Sequence, residues 1–416
     1  MKVLVIGSGG REHALALALA RDAAVDDVHA APGNPGIESV ACVHGVDPCD
    51  GAAVARLATD LTVDLVVVGP ETPLVAGVAD AVRAAGIACF GPSAEAAALE
   101  GSKAFAKQVM AAAGVPTAMA HVCDTEQQVA AALDAFGPPY VVKDDGLAAG
   151  KGVVVTSDRA TASAHARRCR RVVVEEFLDG PELSLFAVTD GDTVRPLQPA
   201  QDYKRLRDGD SGPNTGGMGA CTPLPWLPAT LVTEATERVL RPTVAEMARR
   251  RTPFAGLLYA GLALTARGLR VVEFNARFGD PETQVLMALL ESSPGTLLHA
   301  AATGRLHEVE PPRFAAGAAV TVVVAAGGYP GQPRRGDVIV GLDAAGAMAG
   351  VDVLHAGTAR DGTGRVVSAG GRVLAVTARG CDLEQARSRA YEGVAAIEFA
   401  GSFHRTDIAA GAAAPS

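Results

Sequence analysis

The first hundred residues alternate short β-branched runs with alanine-rich stretches, and this alternation restricts the fold more than any other feature of the chain. Residues 3–6 read Val-Leu-Val-Ile and precede an Ala/Leu-rich run over 13–20; residues 65–68 read Leu-Val-Val-Val and precede a second such run over 74–85; a further apolar run covers 87–90. Apolar strands separated by helical segments predict a parallel sheet wrapped by helices. From residue 140 the texture changes. Runs at 140–143, 153–156, 172–176, 183–189 and 193–197 are separated by Gly-containing turns, which suits an antiparallel sheet in an α+β region.

Punctuation places the boundaries. Ser102 can cap a helix running through Ala113, and Gly114 with Pro116 stops it, so a domain boundary is expected there. A Gly-rich loop over 209–219 leads to a long helix expected at 230–250 and to strands at 256–265 and 269–274. The chain closes with strands expected at 318–325, 338–341, 351–355 and 372–377 and a helix at 383–397, while 409–416 has little to bury. At 416 residues, two to four domains are expected. The expected architecture is α/β multidomain: a parallel α/β domain over 1–101, a central α+β unit over 102–307 and a small β-rich domain over 308–416.

Composition narrows the function. Net charge is −9, from 37 Lys+Arg against 46 Asp+Glu, so a broad nucleic-acid-binding face is not expected and any anionic ligand must be held locally. Aromatics make up only 4%, too few for a base-stacking platform. Seven dispersed cysteines without a C-x-x-C pair fit reduced thiols rather than disulfides or zinc. No apolar run reaches the ~18–20 residues of a membrane span, and the N-terminus passes straight from Met1 into a strand pattern rather than a signal peptide. A cytoplasmic protein, monomeric or a small homo-oligomer, is expected.

Five segments carry candidate chemistry. The first strand ends in Gly7-Ser8-Gly9-Gly10-Arg11-Glu12-His13, a turn whose amides can approach a phosphate at a helix start. Glu12 stands where the dinucleotide fingerprint needs glycine, which disfavours NAD and leaves a small phosphate site or a plain tight turn. The run Lys143-Asp144-Asp145-Gly146 through Gly150-Lys151-Gly152-Val153 lacks Walker A spacing but forms a Gly/Lys hairpin able to fold over a triphosphate, or an ordinary hairpin. Glu175-Glu176-Phe177-Leu178, with Glu182 following, can offer backbone groups to an adenine edge and a carboxylate to ribose, although acidic strand ends are common. The excursion from Asp202, Tyr203 and Lys204 to Asn214-Thr215-Gly216-Gly217-Met218-Gly219 is the kind of long polar loop that carries function. Glu273 and Asn275, two apart on a strand, share a face and present hard oxygen donors suited to Mg²⁺, or a solvated face.

In order along the chain, GSGGREHA, PGNPG, VVGPETPLV, FGPS, LEGSKAFAK, DGLAAGKGV, EEFLDGPE, GPNTGGMGA, EFNARFGDPETQ, AAGGYPG, HAGT and GGRVLAVTA resemble the phosphoribosylamine–glycine ligase (glycinamide ribonucleotide synthetase) family of ATP-grasp enzymes, across nearly the whole chain. The resemblance implies a central ATP-grasp fold of two α+β subdomains. It also implies ligation of glycine to 5-phosphoribosylamine with conversion of ATP to ADP and phosphate, through glycyl phosphate, in purine biosynthesis. The implied ATP contacts are Lys103, Lys143, Gly146, Gly150, Lys151, Gly152, Glu175, Glu176, Phe177, Leu178 and Glu182. Glu273 and Asn275 would hold Mg²⁺ or Mn²⁺. Substrate would meet Gly9, Gly10, Arg11, Glu12, Asn214, Thr215, Gly216, Gly217 and Asp280. Arg277, Asp202 and Lys204 are the implied catalytic set, with Arg277 on the acyl phosphate or glycine carboxylate and Asp202 on the glycine ammonium. Another ATP-grasp carboxylate–amine ligase, or a non-catalytic nucleotide-binding protein, would share some of these features.

Two departures stand out. Asp144 takes a place where the family usually has a small residue, adding negative charge near phosphates unless it turns away or pairs. The stretch 156–171 is short and lacks a Phe-Gly-x-Ala-Gly-like element, so greater mobility or incomplete shielding of ATP is expected there. No acid stands on 256–265, which leaves the number of metal ions open.

Overall fold

A computed structural model describes residues 1–147 and 152–410. The N-terminal region is a parallel sheet of order β3-β2-β1-β4-β5, made of β1 (Lys2–Gly7), β2 (Asp27–Pro32), β3 (Cys42–Val43), β4 (Leu65–Val68) and β5 (Ala88–Phe90). Val3, Leu4, Val5 and Ile6 are all fully buried, because helices cover both faces and leave no solvent side for a polar alternation. The helix expected at 74–85 is instead two, Glu71–Val75 and Val78–Ala84. Gly77 separates them at φ +83°, a left-handed position that ends one helix and redirects the next. Helix Gly51–Asp60, which the apolar pattern did not single out, starts where the Asp50 side chain accepts the Ala53 N–H.

The Ser102 hydroxyl caps helix Lys103–Ala113 by accepting the Phe105 N–H at 3.1 Å, and Gly114 ends that helix at φ +65°. Beyond it lie two antiparallel four-stranded sheets. The first, of order β6-β9-β7-β8, comprises β6 (Ala120–Cys123), β7 (Tyr140–Asp144), β8 (Val153–Thr156) and β9 (Val172–Glu175). Strands β10 (Glu182–Asp190), β11 (Val194–Pro196), β12 (Gln201–Asp202), β13 (Arg205–Arg207), β14 (Ser211–Asn214), β15 (Gly219–Thr222), β16 (Ala255–Thr265) and β17 (Gly268–Asn275) follow, and the second sheet has the order β11-β10-β16-β17. Within the loop expected at 209–219, β14 makes a short irregular hairpin with β13.

The stretch 156–171, where greater mobility or incomplete shielding of ATP is expected, carries helix Arg159–Ala166, N-capped by Asp158 and buried at Ala162, His165 and Ala166. The helix expected at 230–250 forms with a defect: Leu231–Ala235 passes through a π-turn at Thr236–Leu240 into Arg241–Arg249. Pro242 has no N–H for the carbonyl one turn back, so the hydrogen-bond ladder is displaced there.

The last sheet, order β12-β15-β18-β22-β19, joins β18 (Ala318–Ala325), β19 (Val351–His355) and β22 (Arg372–Gly380) to strands β12 and β15, which flank the Gly-rich loop. Between β19 and β22, β20 (Thr358–Arg360) and β21 (Val366–Ser368) form a separate hairpin. The polar loop is thereby stitched to the C-terminal sheet. Helix Leu383–Ala395 buries Leu383, Ala386, Ala390 and Val394 in the core beside this sheet. No strand forms at 338–341: Val338 and Val340 bridge to two different segments, at Val367 and Glu398, so no continuous ladder develops.

Candidate active site

Near the end of strand β7, Lys143 has its ammonium buried between two sheets. Nζ donates to Val272 O of β17 at 3.0 Å and lies 2.8 Å from Glu175 Oε2 of β9. The other Glu175 oxygen is 3.1 Å from Lys107 Nζ, which is also tied to Thr117 Oγ1 at 2.9 Å and Ala118 O at 2.8 Å. Burial opposes the Lys143 charge, but Glu175 and Glu273 hold its ammonium above the ordinary lysine value. Lys103, at the start of its helix, donates to Gly146 O at 2.9 Å, and Asp145 accepts from Ser102 Oγ and the Ala104 N–H. These bonds clamp the turn after β7 onto a helix N-terminus. Gly150 and Lys151 lie outside the described residues, while the Gly152 carbonyl accepts the Asp144 N–H at 2.7 Å. The Asp144 side chain faces Cys169, whose thiol is pushed up by burial and then by that carboxylate.

Beyond β9 the chain turns outward. Glu176 donates its N–H to Met119 O, and its side chain accepts the Met119 N–H and pairs with Arg267 at 2.9 Å. Phe177 and Met119 are exposed apolar residues here. Among the described residues, neither the Glu176 carbonyl nor the Leu178 N–H has a protein partner, which leaves an acceptor and a donor for an adenine edge. Glu182 lies 2.8 Å from Lys204 Nζ, which holds its carboxyl below the usual range.

The β16–β17 register sets Gly261 opposite Glu273 and Tyr259 opposite Asn275. Among the described residues no hydrogen bond or ion pair engages the Glu273 carboxylate, and Asn275 Oδ1 receives only a long 3.4 Å contact from Arg277. No group of three or more His, Cys, Asp or Glu side chains suited to a metal occurs among the described residues. One free carboxylate and one amide oxygen beside the buried lysine cluster fit a Mg²⁺-type ion, which keeps water and substrate oxygens in the rest of its shell.

The polar loop brings a second charged cluster to this edge. Asp202 is half-buried, but its Oδ1 is shut off from solvent with no hydrogen-bond partner among the described residues, and desolvation followed by the nearby Glu282 carboxylate drives its pKa well up. Glu282 Oε1 accepts Tyr259 OH at 2.6 Å and Ser184 Oγ at 3.1 Å. Gly217, at φ +104°, packs so closely on Pro281 and Asp202 that a methyl group there would collide with both. Thr215 is bonded through its N–H and hydroxyl to Lys204 O, and Asn214 pairs with Arg205 in the hairpin. From the C-terminal side, Tyr329 OH accepts the Gly216 N–H, and Arg372 donates to the carbonyls of Gly216 and Asp280. Burial tends to raise the Asp280 carboxyl, but Arg372 and Arg11 hold it below its ordinary value.

The N-terminal turn meets the same edge. A Cβ at Gly10 would touch Gln284 and Asp280, so that turn approaches the loop after β17. Glu12 reaches back to accept the Gly9 N–H at 2.6 Å and pairs with Arg11 at 2.5 Å, filling the inside of the turn with a carboxylate. The Gly9 N–H is therefore already used. Arg11 also donates to Phe278 O at 3.0 Å. Arg277, expected to face acyl phosphate, lies 3.1 Å from Glu100 and 3.3 Å from Glu71, both from the N-terminal region. Its guanidinium ties the loop after β17 to the N-terminal region.

The fold thus gathers Lys103, Gly146, Lys143, Glu175, Glu182, Lys204, Glu273 and Asn275 on one side and Asp202, Gly217, Asp280 and the Gly9–Glu12 turn on another. Sequence reasoning missed Lys107, Glu71, Glu100, Tyr259, Glu282, Tyr329 and Arg372. Several sit inside the quoted motifs, where a charged or hydroxyl side chain amid apolar residues was the available signal.

Family models for the N, ATP-grasp (A) and C domains of phosphoribosylglycinamide synthetase match residues 1–100, 101–283 and 319–411. A Streptomyces coelicolor protein named phosphoribosylamine–glycine ligase is 67% identical over 415 residues, covering 99% of this chain and 100% of that protein. One of the same name from Mycobacterium tuberculosis is 57% identical, covering 98% and 97%. The crystal structure of phosphoribosylamine–glycine ligase from Thermotoga maritima superposes with a TM-score of 0.85 at 33% identity, covering 98% of this chain and all of that one. A biotin carboxylase from Campylobacter jejuni, at TM-score 0.73 and 14% identity over 97% and 92%, shares the fold alone. With all three domain models matched in order and full-length relatives this similar, the chain belongs to the phosphoribosylglycinamide synthetase family of ATP-grasp ligases.

Proposed function

We propose that the chain joins glycine to 5-phosphoribosylamine at the expense of ATP, forming glycyl phosphate on the way, as a step of purine biosynthesis. One observation carries the amino-acid half of this reading: the Asp202 carboxylate, its Oδ1 shut off from solvent and without a partner among the described residues, beside Glu282 at the edge of the phosphate-side cluster. Two carboxylates converging in a buried site suit a small ammonium, and the close packing of Gly217 and Pro281 on Asp202 favours an amino acid without a side chain.

A carboxylate is a poor acyl donor, so the glycine carboxylate must first attack the γ-phosphate. Lys143 and Lys103 oppose the charge on the transferring group, Glu182 accepts from ribose, and the Glu176 carbonyl with the Leu178 N–H meets the adenine edge. Gly146, held by Lys103, and Gly152, whose carbonyl takes the Asp144 N–H, flank the phosphates. Glu273 and Asn275 would hold a divalent ion, Mg²⁺ or Mn²⁺, which when bound neutralises and orients phosphate oxygens. Lys204 fixes Glu182 and faces Asp202, while Arg277, held by Glu71 and Glu100, orients the activated carboxyl through its remaining donor capacity. Asn214, Thr215 and Gly216, together with Asp280 and the Gly9-Gly10-Arg11-Glu12 turn, bound the space for the phosphoribosyl amine, which displaces phosphate from the acyl group.

The decisive experiment supplies glycine labelled with ¹⁸O in its carboxylate. Attack on the γ-phosphate delivers one labelled oxygen to inorganic phosphate, and ADP should form only when glycine and phosphoribosylamine are both present. Unlabelled phosphate would overturn the intermediate; ADP release with another amino acid would overturn the substrate.

A further inference from the structure

Three carboxylates, Glu175, Glu182 and Glu273, surround the Lys143 ammonium, and three ammonium groups face them, on Lys107, Lys143 and Lys204. Lys204 belongs to Glu182 and Glu273 is the candidate metal ligand, so Lys107 and Lys143 divide Glu175 between them. Lys107 is one turn beyond Lys103 on the same helix face. All three of its protons are committed, to Glu175 Oε1, Thr117 Oγ1 and Ala118 O, and its side chain is 12% exposed. It cannot turn to a ligand. Among the described residues Lys143 spends two protons, on Glu175 Oε2 and Val272 O, and keeps a third. Thr117 in turn donates to Val271 O, so the same knot fixes strand β17, which carries Glu273 and Asn275.

We infer that Lys107 is a positioning residue for ATP: by occupying one oxygen of Glu175 it keeps the local charge balanced and leaves the third proton of Lys143 directed at phosphate. This rests on the reading of Lys143 as a phosphate contact. Removing the Lys107 charge leaves one carboxylate in excess where a polyanion must enter, and lets Glu175 draw Lys143 with both oxygens. The consequence is specific to ATP, since the Asp202–Glu282 cluster loses no partner.

Lys107→Met should raise the KM for ATP about tenfold, equivalent to ~1.4 kcal/mol, while the KM for glycine stays within about twofold. The double variant Lys107→Met/Glu175→Gln removes one charge of each sign, and should recover most of the lost ATP affinity. A purely structural lysine predicts the opposite, a double variant as weak as the single or weaker. That result, or an unchanged ATP KM in Lys107→Met, overturns the inference. Should Lys107→Met not fold by thermal melting, the neutral and milder Lys107→Gln takes its place, with ADP affinity measured by calorimetry and the same reversal sought in Lys107→Gln/Glu175→Gln. Lys143→Met separates the two readings: unchanged ATP affinity there overturns the phosphate assignment itself, whereas weakened affinity without charge rescue overturns only the role of Lys107.

Discussion

Arg372 lies 3.1 Å from Asp280, joining a strand of the C-terminal sheet to the loop that follows Glu273 and Asn275. The same guanidinium donates to the carbonyls of Gly216 and Asp280, so the C-terminal region holds both loops at the site edge. Arg372→Ala should lower kcat/KM for the amine substrate about 100-fold, the scale on which small misplacements of reacting groups act. Arg372→Lys should rescue little, because a single ammonium cannot span carboxylate and carbonyls as a fork does. Steady-state kinetics of both variants check this.

Glu273→Gln should leave the fold intact and move the divalent-ion requirement upward by about tenfold or more, since a neutral amide replaces the one free carboxylate of the candidate ligand pair. A Mg²⁺ titration of activity, repeated with Mn²⁺, measures it. Unchanged metal dependence would remove Glu273 from the ligand set.

Arg277→Ala leaves Glu71 and Glu100 facing each other without their cation. Burial already raises the Glu100 carboxyl, with Arg277 opposing. The expected loss is about 3–5 kcal/mol of stability, as for other broken buried pairs, together with a fall in kcat/KM for glycine. Denaturant melts and glycine kinetics test the two effects separately, and wild-type kcat/KM for glycine would sink the catalytic assignment.

Gly217→Ala should raise the KM for glycine far more than that for ATP. The added methyl meets Asp202 Oδ1 at 2.6 Å and also strikes Pro281, in a backbone conformation that L side chains rarely adopt. A comparable change in both KM values would show that Asp202 does not face the amino acid.

Acid should loosen the contact between the N- and C-terminal regions. Burial, with His355 adding, pushes His13 down to about 3, and burial with Arg360 pushes His355 down to about 4. His13 Nδ1 accepts the His355 N–H at 2.8 Å, so the pair is built for neutral rings. An unfolded histidine takes up a proton below about pH 6.5 while these remain neutral, so stability present above that pH is lost progressively as the pH falls toward the folded values. Melting temperatures from about pH 7 to about pH 5 should show the gap between wild type and His13→Gln narrowing.

Much of the fold is legible in residue order because it rests on local physics. The Val-Leu-Val-Ile run can only be a strand covered on both sides, and Ser102 and Gly114 bracket their helix by capping and positive φ. Glu273 and Asn275 fall on one face from strand periodicity alone. Local rules fail where the backbone answers to distant partners. Residues 338–341 look like a strand, yet they meet two different segments with one bridge each. Strands β12 and β15 leave their sequence neighbours to complete the C-terminal sheet.

The sequence by itself determined the alternation that makes the N-terminal sheet, the caps, the Gly-rich turns and the residue types able to meet phosphate, metal and carboxylate. Only the tertiary structure decided which charges neutralise each other. Arg11 donates to a carbonyl 267 positions away, Arg277 pairs with Glu71 and Glu100, Glu12 turns inward to its own glycine, and Glu175 is shared by two lysines. A buried charge must find its counter-charge wherever the fold brings one near, and sequence spacing carries no record of that distance.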